Sequence, residues 1–205
     1  GMGDLTPSSM KSWIGGLLVS LSLPAAASVT VLEDFAEFIA TPASGLIDGG
    51  EGKYYGLTAR RLLLSPGNIY SFDPQTGTVA SIFGFDSQAH KSSLQFGHGS
   101  EDVWLNHGSD GFLYVTVNGG DPDGAGLVFR IAPSGDDYGL VFKASSQVPE
   151  GDNADIQGAL VELSPGIFVG AMRNFGAVRG DAIYRLDVSS GLPADVQVID
   201  VFQNP

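Results

Sequence analysis

The chain has 205 residues, enough for one domain, with 29 glycines, 11 prolines and a charged fraction of only 16%. A hydrophobic content of 43% excludes wholesale disorder, and this glycine-rich, charge-poor composition is typical of an all-β protein with many turns. The net charge of −13 argues against nucleic acid as a partner, and the absence of cysteine excludes disulfides, thiolate zinc sites and cysteine nucleophiles.

Residues 2–27 have the pattern of a secretory signal peptide, preceded by Gly1, which we interpret as a cloning remnant. Lys11 comes before an apolar run of eleven residues, 13–23, and the small residues 25–27 resemble a cleavage site. The run is too short to span a bilayer, which takes about 20 residues. The sequence therefore predicts an exported protein with no membrane span in the mature chain; the alternative is a buried or membrane-lying N-terminal helix.

The mature chain, residues 28–205, is predicted to be a single domain of short strands. A leading strand is expected at 28–35, followed by a helical turn at 36–40 that Pro42 ends. Three four-stranded units then follow, at residues 42–87, 101–146 and 157–202. The predicted strands of the first unit are 45–48, 54–58, 68–72 and 79–85. Those of the second unit are 103–105, 113–117, 127–131 and 140–142. Those of the third unit are 158–163, 167–171, 182–186 and 196–202.

Two aromatic positions recur at similar intervals in the three units. On the second strand the intervals are 59 and 54 residues, and on the third strand they are 59 and 55. The residues are Tyr55, Tyr114 and Phe168, and Tyr70, Phe129 and Tyr184. This period predicts a β-propeller-like arrangement with these aromatic residues in its core. Closed propellers have about 4–8 blades, so three units plus a leading strand predict an incomplete propeller. Three forms remain open: an open arc, an assembly that self-associates through its exposed strand edges, or part of a longer protein.

The first unit also resembles the GloVer tandem repeat of exported bacterial proteins, on the stretch PASGLIDGGEGKYYGLT…GNIYSFDPQTGTVASIFGFD, residues 42–86. The matching pairs are Leu46-Ile47, Tyr55-Gly56 and Ile69-Tyr70 in the first copy, Leu113-Tyr114 and Val128-Phe129 in the second, and Leu160-Val161 and Ile183-Tyr184 in the third. The resemblance implies a propeller-forming protein that is secreted, periplasmic or held at the surface of a bacterium. Members commonly carry a C-terminal sorting or anchor segment, and no general activity is established for them.

A polar ligand-binding surface is predicted where the second strands end. Arg60 and Arg173 lie just after those strands, where propeller loops often line a central face. The other residues of this predicted surface are Asn118, Asp121 and Asn174, with Glu51 beside them. The alternative is a set of surface charges that aid solubility.

Calcium is the alternative to an absence of cofactors. Asp121 and Asp123, in NGGDPDGAG, resemble half of a calcium loop, because alternating acidic oxygens chelate a hard cation and glycine allows a sharp turn. The remaining ligands of an EF-hand are missing from the pattern. A glycine-containing turn stabilised by the aspartates explains the same residues without a metal.

The sequence favours a non-enzymatic binding or cell-surface module whose ligand or surface partner is unknown. No G-x-S-x-G motif and no Ser-His-Asp arrangement can be identified, so no catalytic residues are predicted. The alternative is a propeller enzyme of the lactonase or sugar-dehydrogenase type, with a divalent metal at its centre. Fold alone does not choose between the two.

Overall fold

The computed structural model describes residues 40–60, 66–85, 87, 102–119, 124–148, 154–175 and 180–202, all within one compact unit, Val31–Pro205. The predicted signal peptide, the leading strand at 28–35 and residues 36–39 of the predicted helical turn lie outside these ranges. The described residues form three antiparallel sheets and one short 3₁₀ helix, Ala144–Gln147. In this part of the chain, no helix has the length and apolarity required to cross a membrane.

Sheet 1 contains five strands, two of which share one edge, so that the sheet is four strands wide. They are β1 (Ala40–Pro42), β2 (Ile47–Asp48), β3 (Tyr54–Arg60), β4 (Pro66–Asp73) and β5 (Thr78–Gly84). β1 and β2 both pair with β3 and together occupy the edge. Between them the N–H of Ala43 donates to the carbonyl of Leu57 at 2.8 Å, and the hydroxyl of Ser44 accepts from the N–H of Leu57 at 3.0 Å. The predicted helical turn is therefore wrong at Ala40, which lies in a strand because its backbone pairs with β3.

Sheets 2 and 3 are regular meanders in chain order. Sheet 2 contains β6 (Val103–His107), β7 (Leu113–Val117), β8 (Leu127–Ile131) and β9 (Tyr138–Lys143). Sheet 3 contains β10 (Asp155–Ser164), β11 (Ile167–Phe175), β12 (Gly180–Asp187) and β13 (Asp195–Phe202). The predicted all-β fold with three four-stranded units is confirmed, and β7 and β8 begin and end at the predicted residues.

The three sheets stack face to face, with sheet 2 in the middle. Along β7, Val115 belongs to the apolar cluster shared with sheet 1, whereas Tyr114 belongs to the cluster shared with sheet 3. The ring of Tyr114 lies 4.3 Å from that of Phe168 on sheet 3, a contact worth about 0.5–1.5 kcal/mol beyond area burial. The first strands lie side by side, since β6 contacts β2, β3 and β10. Consecutive sheets stacked in this way form a propeller-like arrangement.

In sheets 1 and 3, a glycine on the second strand lies beneath a tyrosine of the third strand. Gly56 pairs with Tyr70, and Gly170 pairs with Tyr184. A Cβ atom on Gly56 would lie 2.5 Å from Cζ of Tyr70, and one on Gly170 would overlap the ring of Tyr184 in the same way. Each tyrosine ring thus crosses the second strand above a residue that has no side chain.

The first strand is irregular opposite each of these glycines. In sheet 1 the interruption is the segment 43–46 between β1 and β2, and in sheet 3 it is the bulge at 158–160 in β10. Sheet 2 has Val115 in place of the glycine and Phe129 in place of the tyrosine, and its first strand keeps a regular register there. The glycine, the tyrosine and the irregular first strand therefore occur together or not at all.

The registers also correct the predicted alignment of the second strands. If Gly56 and Gly170 are equivalent, the residue of sheet 3 that corresponds to Tyr55 and Tyr114 is Val169, not Phe168. The intervals between equivalent residues of successive sheets are then 59 and 55 residues on the second strand, the same as on the third strand. Phe168 faces the preceding sheet, whereas Tyr55 and Tyr114 face the following one. All six predicted aromatic residues are nevertheless buried, so their assignment to the core is confirmed.

Candidate functional site

Four of the predicted ligand-binding residues lie at one end of the sheets, which we name the second-strand end. Arg60 is the last residue of β3, Asn118 directly follows β7, and Arg173 and Asn174 are among the last three residues of β11. Glu51 does not join them, because it lies in the hairpin between β2 and β3, at the opposite end of β3. For Arg60 and Asn174 the structure describes the backbone position alone.

The residues Asp121 and Asp123 lie outside the described ranges, and calcium binding there stays a prediction. Among the residues that are described, no group of three or more histidines, aspartates or glutamates is close enough to hold a metal ion.

Asn118 closes the ladder between β6 and β7 and carries a buried oxygen. Its N–H donates to the carbonyl of Asp102 at 2.9 Å. Its Oδ1 is buried and has no hydrogen-bond partner within the described part of the chain, and the same is true of Thr116 Oγ1 and Asn106 Oδ1. Asn106 is paired with Tyr114 and Thr116 is two residues further along β7, so both side chains face sheet 3. Sheet 2 thus presents unpaired acceptors from its first two strands, β6 and β7.

Sheet 3 adds two more buried polar groups on its side of the structure. Tyr184 is completely buried, its hydroxyl has no partner among the described residues, and burial raises its pKa above the usual value. Gln157, on β10, likewise has a buried Nε2 without a partner there. Buried polar groups in proteins are normally hydrogen-bonded to protein, to water or to a ligand. Sequence reasoning missed these groups and the Asn106–Thr116 pair; the available signal was a polar residue inside an otherwise apolar strand.

A backbone hydrogen bond links the chain opposite Asn118 to the strand that pairs with Arg173. The N–H of Gly126, which directly precedes β8 and lies opposite Asn118, donates to the carbonyl of Ala154 at 2.9 Å. The next residue, Asp155, is in register with Arg173, and their side chains form an ion pair with an Nη2–Oδ2 distance of 3.9 Å. The side chain of Arg173 remains more than half exposed. A long, exposed ion pair contributes at most about 1 kcal/mol to stability, so the guanidinium is presented mainly to solvent.

The opposite end of the sheets is tied together by Glu162. Its carboxylate accepts from the N–H and the hydroxyl of Ser109 in sheet 2, at 2.8 and 2.7 Å, and from the N–H of Gly166 at 3.0 Å. Burial alone would raise the pKa of Glu162, but these hydrogen bonds and the nearby His107 bring it below its usual value. We name this contact between the hairpins of sheets 2 and 3 the Glu162 clasp; its geometry is that of a structural joint.

A second network at this end stabilises the β6–β7 turn. The hydroxyl of Tyr114 donates to Asp110 Oδ2 at 2.8 Å, and Arg130 Nη1 lies 3.5 Å from the same oxygen. The guanidinium of Arg130 stacks over the ring of Phe112 at 4.2 Å from its centre. Burial, followed by the bond to Asp110, raises the pKa of Tyr114, so this hydroxyl is a fixed donor and not an acid at neutral pH.

These observations define an all-β repeat protein of the propeller-like class. No family model matches the chain, and no curated protein matches it either. Among solved structures it is similar to a chain from a structural and mechanistic analysis of two prolyl endopeptidases, with 17% identity and a TM-score of 0.44. The similarity covers 76% of this chain but only 20% of the other, and at this score it carries no argument about function.

Proposed function

We propose that the chain is an exported bacterial binding module whose ligand contacts the second-strand end of sheets 2 and 3, at Asn118 and Arg173. The observation that carries the proposal is Arg173: its guanidinium is more than half exposed and only loosely paired with Asp155, at the same end of the sheets as Asn118. Export rests on the signal-like residues 2–27 and on the GloVer resemblance. The same resemblance supports a role at the cell surface or in the periplasm.

The chemistry of these groups favours an acidic ligand rich in hydroxyl groups. A guanidinium recognises a carboxylate with two parallel hydrogen bonds. Side-chain amides such as that of Asn118, a residue that is only partly buried, exchange hydrogen bonds with sugar hydroxyls. An oligosaccharide that contains uronic acids supplies both kinds of group, and the arginine gives it a local positive charge on an otherwise acidic protein.

The proposal is tested by calorimetric titration of the protein with an oligogalacturonate and, separately, with a neutral cello-oligosaccharide. We expect the acidic oligosaccharide to bind more tightly, and Arg173→Ala or Asn118→Ala to weaken that binding by about tenfold, the effect of one charge-assisted contact. Arg185→Ala is the matched control, because Arg185 is paired with Asp187 at 3.2 Å near the other end of sheet 3. Equal losses for Arg185→Ala and Arg173→Ala, or no binding of either sugar, would refute this site.

Export is tested separately by expressing the full chain in a bacterial host and sequencing the N terminus of the exported protein. We expect a mature chain that begins at Ser28. A cytoplasmic product with its N terminus intact would refute export without bearing on the ligand site.

A further inference from the structure

Sheet 3 exposes an apolar face on the side away from sheet 2. Among the described residues, four large hydrophobic side chains are half exposed or more: Val161 at 59%, Leu163 at 62%, Ile199 at 53% and Leu46 at 50%. The first three belong to sheet 3, whereas Leu46 lies at the edge of sheet 1. Val161 is in register with Val169 on the next strand, away from the buried residues of the sheet, which extends the apolar surface across two strands. We name this surface the outer face of sheet 3.

The repeat shows what a surface in this position does elsewhere in the chain. Val169 corresponds to Tyr55 of sheet 1 and Tyr114 of sheet 2, which both face the following sheet and are buried against it. In sheets 1 and 2, the face that corresponds to the outer face of sheet 3 is therefore the one that packs against the next sheet. In sheet 3 it combines exposed aliphatic side chains with the ion pairs Arg173–Asp155 and Arg185–Asp187, and it is open to solvent.

The corresponding surface at the other end of the stack is already covered. Tyr70 and Phe72 belong to neither apolar cluster between the sheets, yet both are buried, as is Thr58. Among its described residues, the free face of sheet 1 therefore exposes no apolar patch onto which the outer face of another copy's sheet 3 can dock head to tail. Two outer faces of sheet 3 can instead pack against each other around a two-fold axis, as in most homodimers.

We propose that the outer face of sheet 3 is a homodimer interface, with a second copy of this chain as its occupant. Its strands have eight to ten residues each. With strands about 4.8 Å apart and a rise of about 3.3 Å per residue, the face measures about 500 Å². Two such faces bury about 1,000 Å², which reaches the size that a specific interface needs.

Charge sets the conditions under which this dimer forms. Arg185 and Asp187 on the outer face form an ion pair at 3.2 Å and so neutralise each other locally. Asp181 and Asp200 also flank the face, and each copy carries a net charge of −13. Salt screens the repulsion between two acidic copies and strengthens apolar burial, so the dimer is expected to tighten as ionic strength rises.

Sedimentation velocity of the full chain, over a range of concentrations and at low and high salt, tests the proposal. We expect a monomer–dimer equilibrium that shifts toward the dimer at high salt. Ile199→Glu is expected to raise the dissociation constant at least tenfold, whereas Leu46→Glu is expected to change it less than twofold. The two variants are closely matched, since each places one negative charge at a half-exposed position, and far-UV circular dichroism checks that both remain folded.

Three results would overturn the dimer. They are a wild-type chain that stays monomeric at every concentration and salt level, an equal weakening by Ile199→Glu and Leu46→Glu, and a ladder of higher oligomers. The last result would indicate head-to-tail stacking instead. Arg173 follows the inward-facing Met172 and so shares the outer face, and the titration with oligogalacturonate is therefore made at low salt, where the monomer is expected.

Discussion

A tyrosine ring occupies the space in which a side chain at residue 56 would stand. A Cβ atom built there would lie 2.5 Å from both Cζ and the hydroxyl oxygen of Tyr70, and 2.9 Å from Cε1. The ring is buried, so a Cβ atom at residue 56 would have to displace a packed side chain. The backbone conformation of Gly56 is one that any residue adopts. Glycine is therefore required at this position by packing and not by backbone geometry.

Gly56→Ala is expected to lower the free energy of unfolding by about 1–3 kcal/mol, the usual cost of overpacking a core. Equilibrium unfolding in urea measures the change. Gly45→Ala is the control in the same sheet, because nothing lies within 4 Å of a Cβ at Gly45. The control is expected to be neutral or slightly stabilising, by up to about 1 kcal/mol, through the lower entropy of its unfolded chain. Similar values for the two variants would show that the ring of Tyr70 yields freely.

Sequence patterns located the core aromatic residues but not their register. Phe168 and Val169 are both apolar and adjacent, so hydrophobicity does not distinguish which of them faces the following sheet. A slip of one residue reverses the face of every side chain in a strand. The register is fixed by the backbone ladder and by the glycine beneath Tyr184, and these depend on the partner strand.

The candidate site was predicted in part for a similar reason. Asn118 and Arg173 lie at one end, because Asn118 directly follows its second strand, Arg173 is near the end of its own, and antiparallel meanders return each second strand to the same end. Asn106 and Thr116 were missed, since a polar residue in a strand normally indicates a solvent-facing position. Here both face another sheet, and only the stacking of the sheets makes them buried.

At the scale of strands and hairpins, the Glu162 clasp joins two sheets that also meet through apolar contacts and through backbone hydrogen bonds such as Gly126 N–H to Ala154. One carboxylate satisfies two N–H groups and one hydroxyl from two different hairpins. Hydrogen bonds to a charged acceptor are stronger than those between neutral groups. The clasp therefore fixes the position of the β6–β7 hairpin relative to β10.

Glu162→Gln is expected to destabilise the protein by about 1 kcal/mol at pH 7, because a neutral amide replaces the charged acceptor. The folded-state pKa of Glu162 lies below its usual value of 4.5, so its contribution is complete above that value and is lost as the pH falls through the folded pKa. The difference between wild type and variant should therefore shrink at acidic pH. Urea unfolding at pH 7 and at successively lower pH measures it.

The control for this experiment is Glu51→Gln, in the equivalent hairpin of sheet 1. Glu51 is exposed and belongs to no such clasp in the described part of the chain, so a change below about 0.5 kcal/mol is expected. If Glu162→Gln and Glu51→Gln have equal effects at every pH, the clasp contributes nothing specific.

Strand lengths show where prediction from sequence ends. β7 and β8 begin and end as predicted, because both are mainly apolar runs that lie close to glycine-containing turns. β10 was expected at 158–163 but extends over Asp155–Ser164, since its backbone continues to pair with β11 beyond the apolar residues. The position of a strand end depends on how far its partner continues, which the side chains of one strand do not encode.

At the scale of the whole molecule, sheet 2 supports both of its neighbours. It contributes residues to the apolar clusters on each of its faces, whereas sheets 1 and 3 each contribute to one. Every residue of β7 is buried, and so is every residue of β8 except Arg130. In a stack where each unit contacts only its neighbours, the middle unit opens only when both interfaces are lost.

Native-state amide exchange followed by mass spectrometry should therefore show the slowest exchange in β7 and β8. β13 should exchange much faster, because it is the last strand of its sheet and alternates exposed with half-buried residues over most of its length. β7 and β8 are expected to open only with global unfolding, so their exchange should follow the free energy of unfolding when urea is added. The comparison is internal to one sample, which removes differences in concentration and in dimer content.

If peptides from β11 or β12 prove as protected as those from β7 and β8, the outer face of sheet 3 is covered in solution, which the salt-dependent dimer accounts for. If peptides from β3 and β4 are the most protected, stability is centred on sheet 1, and the middle position of sheet 2 does not determine the order of opening.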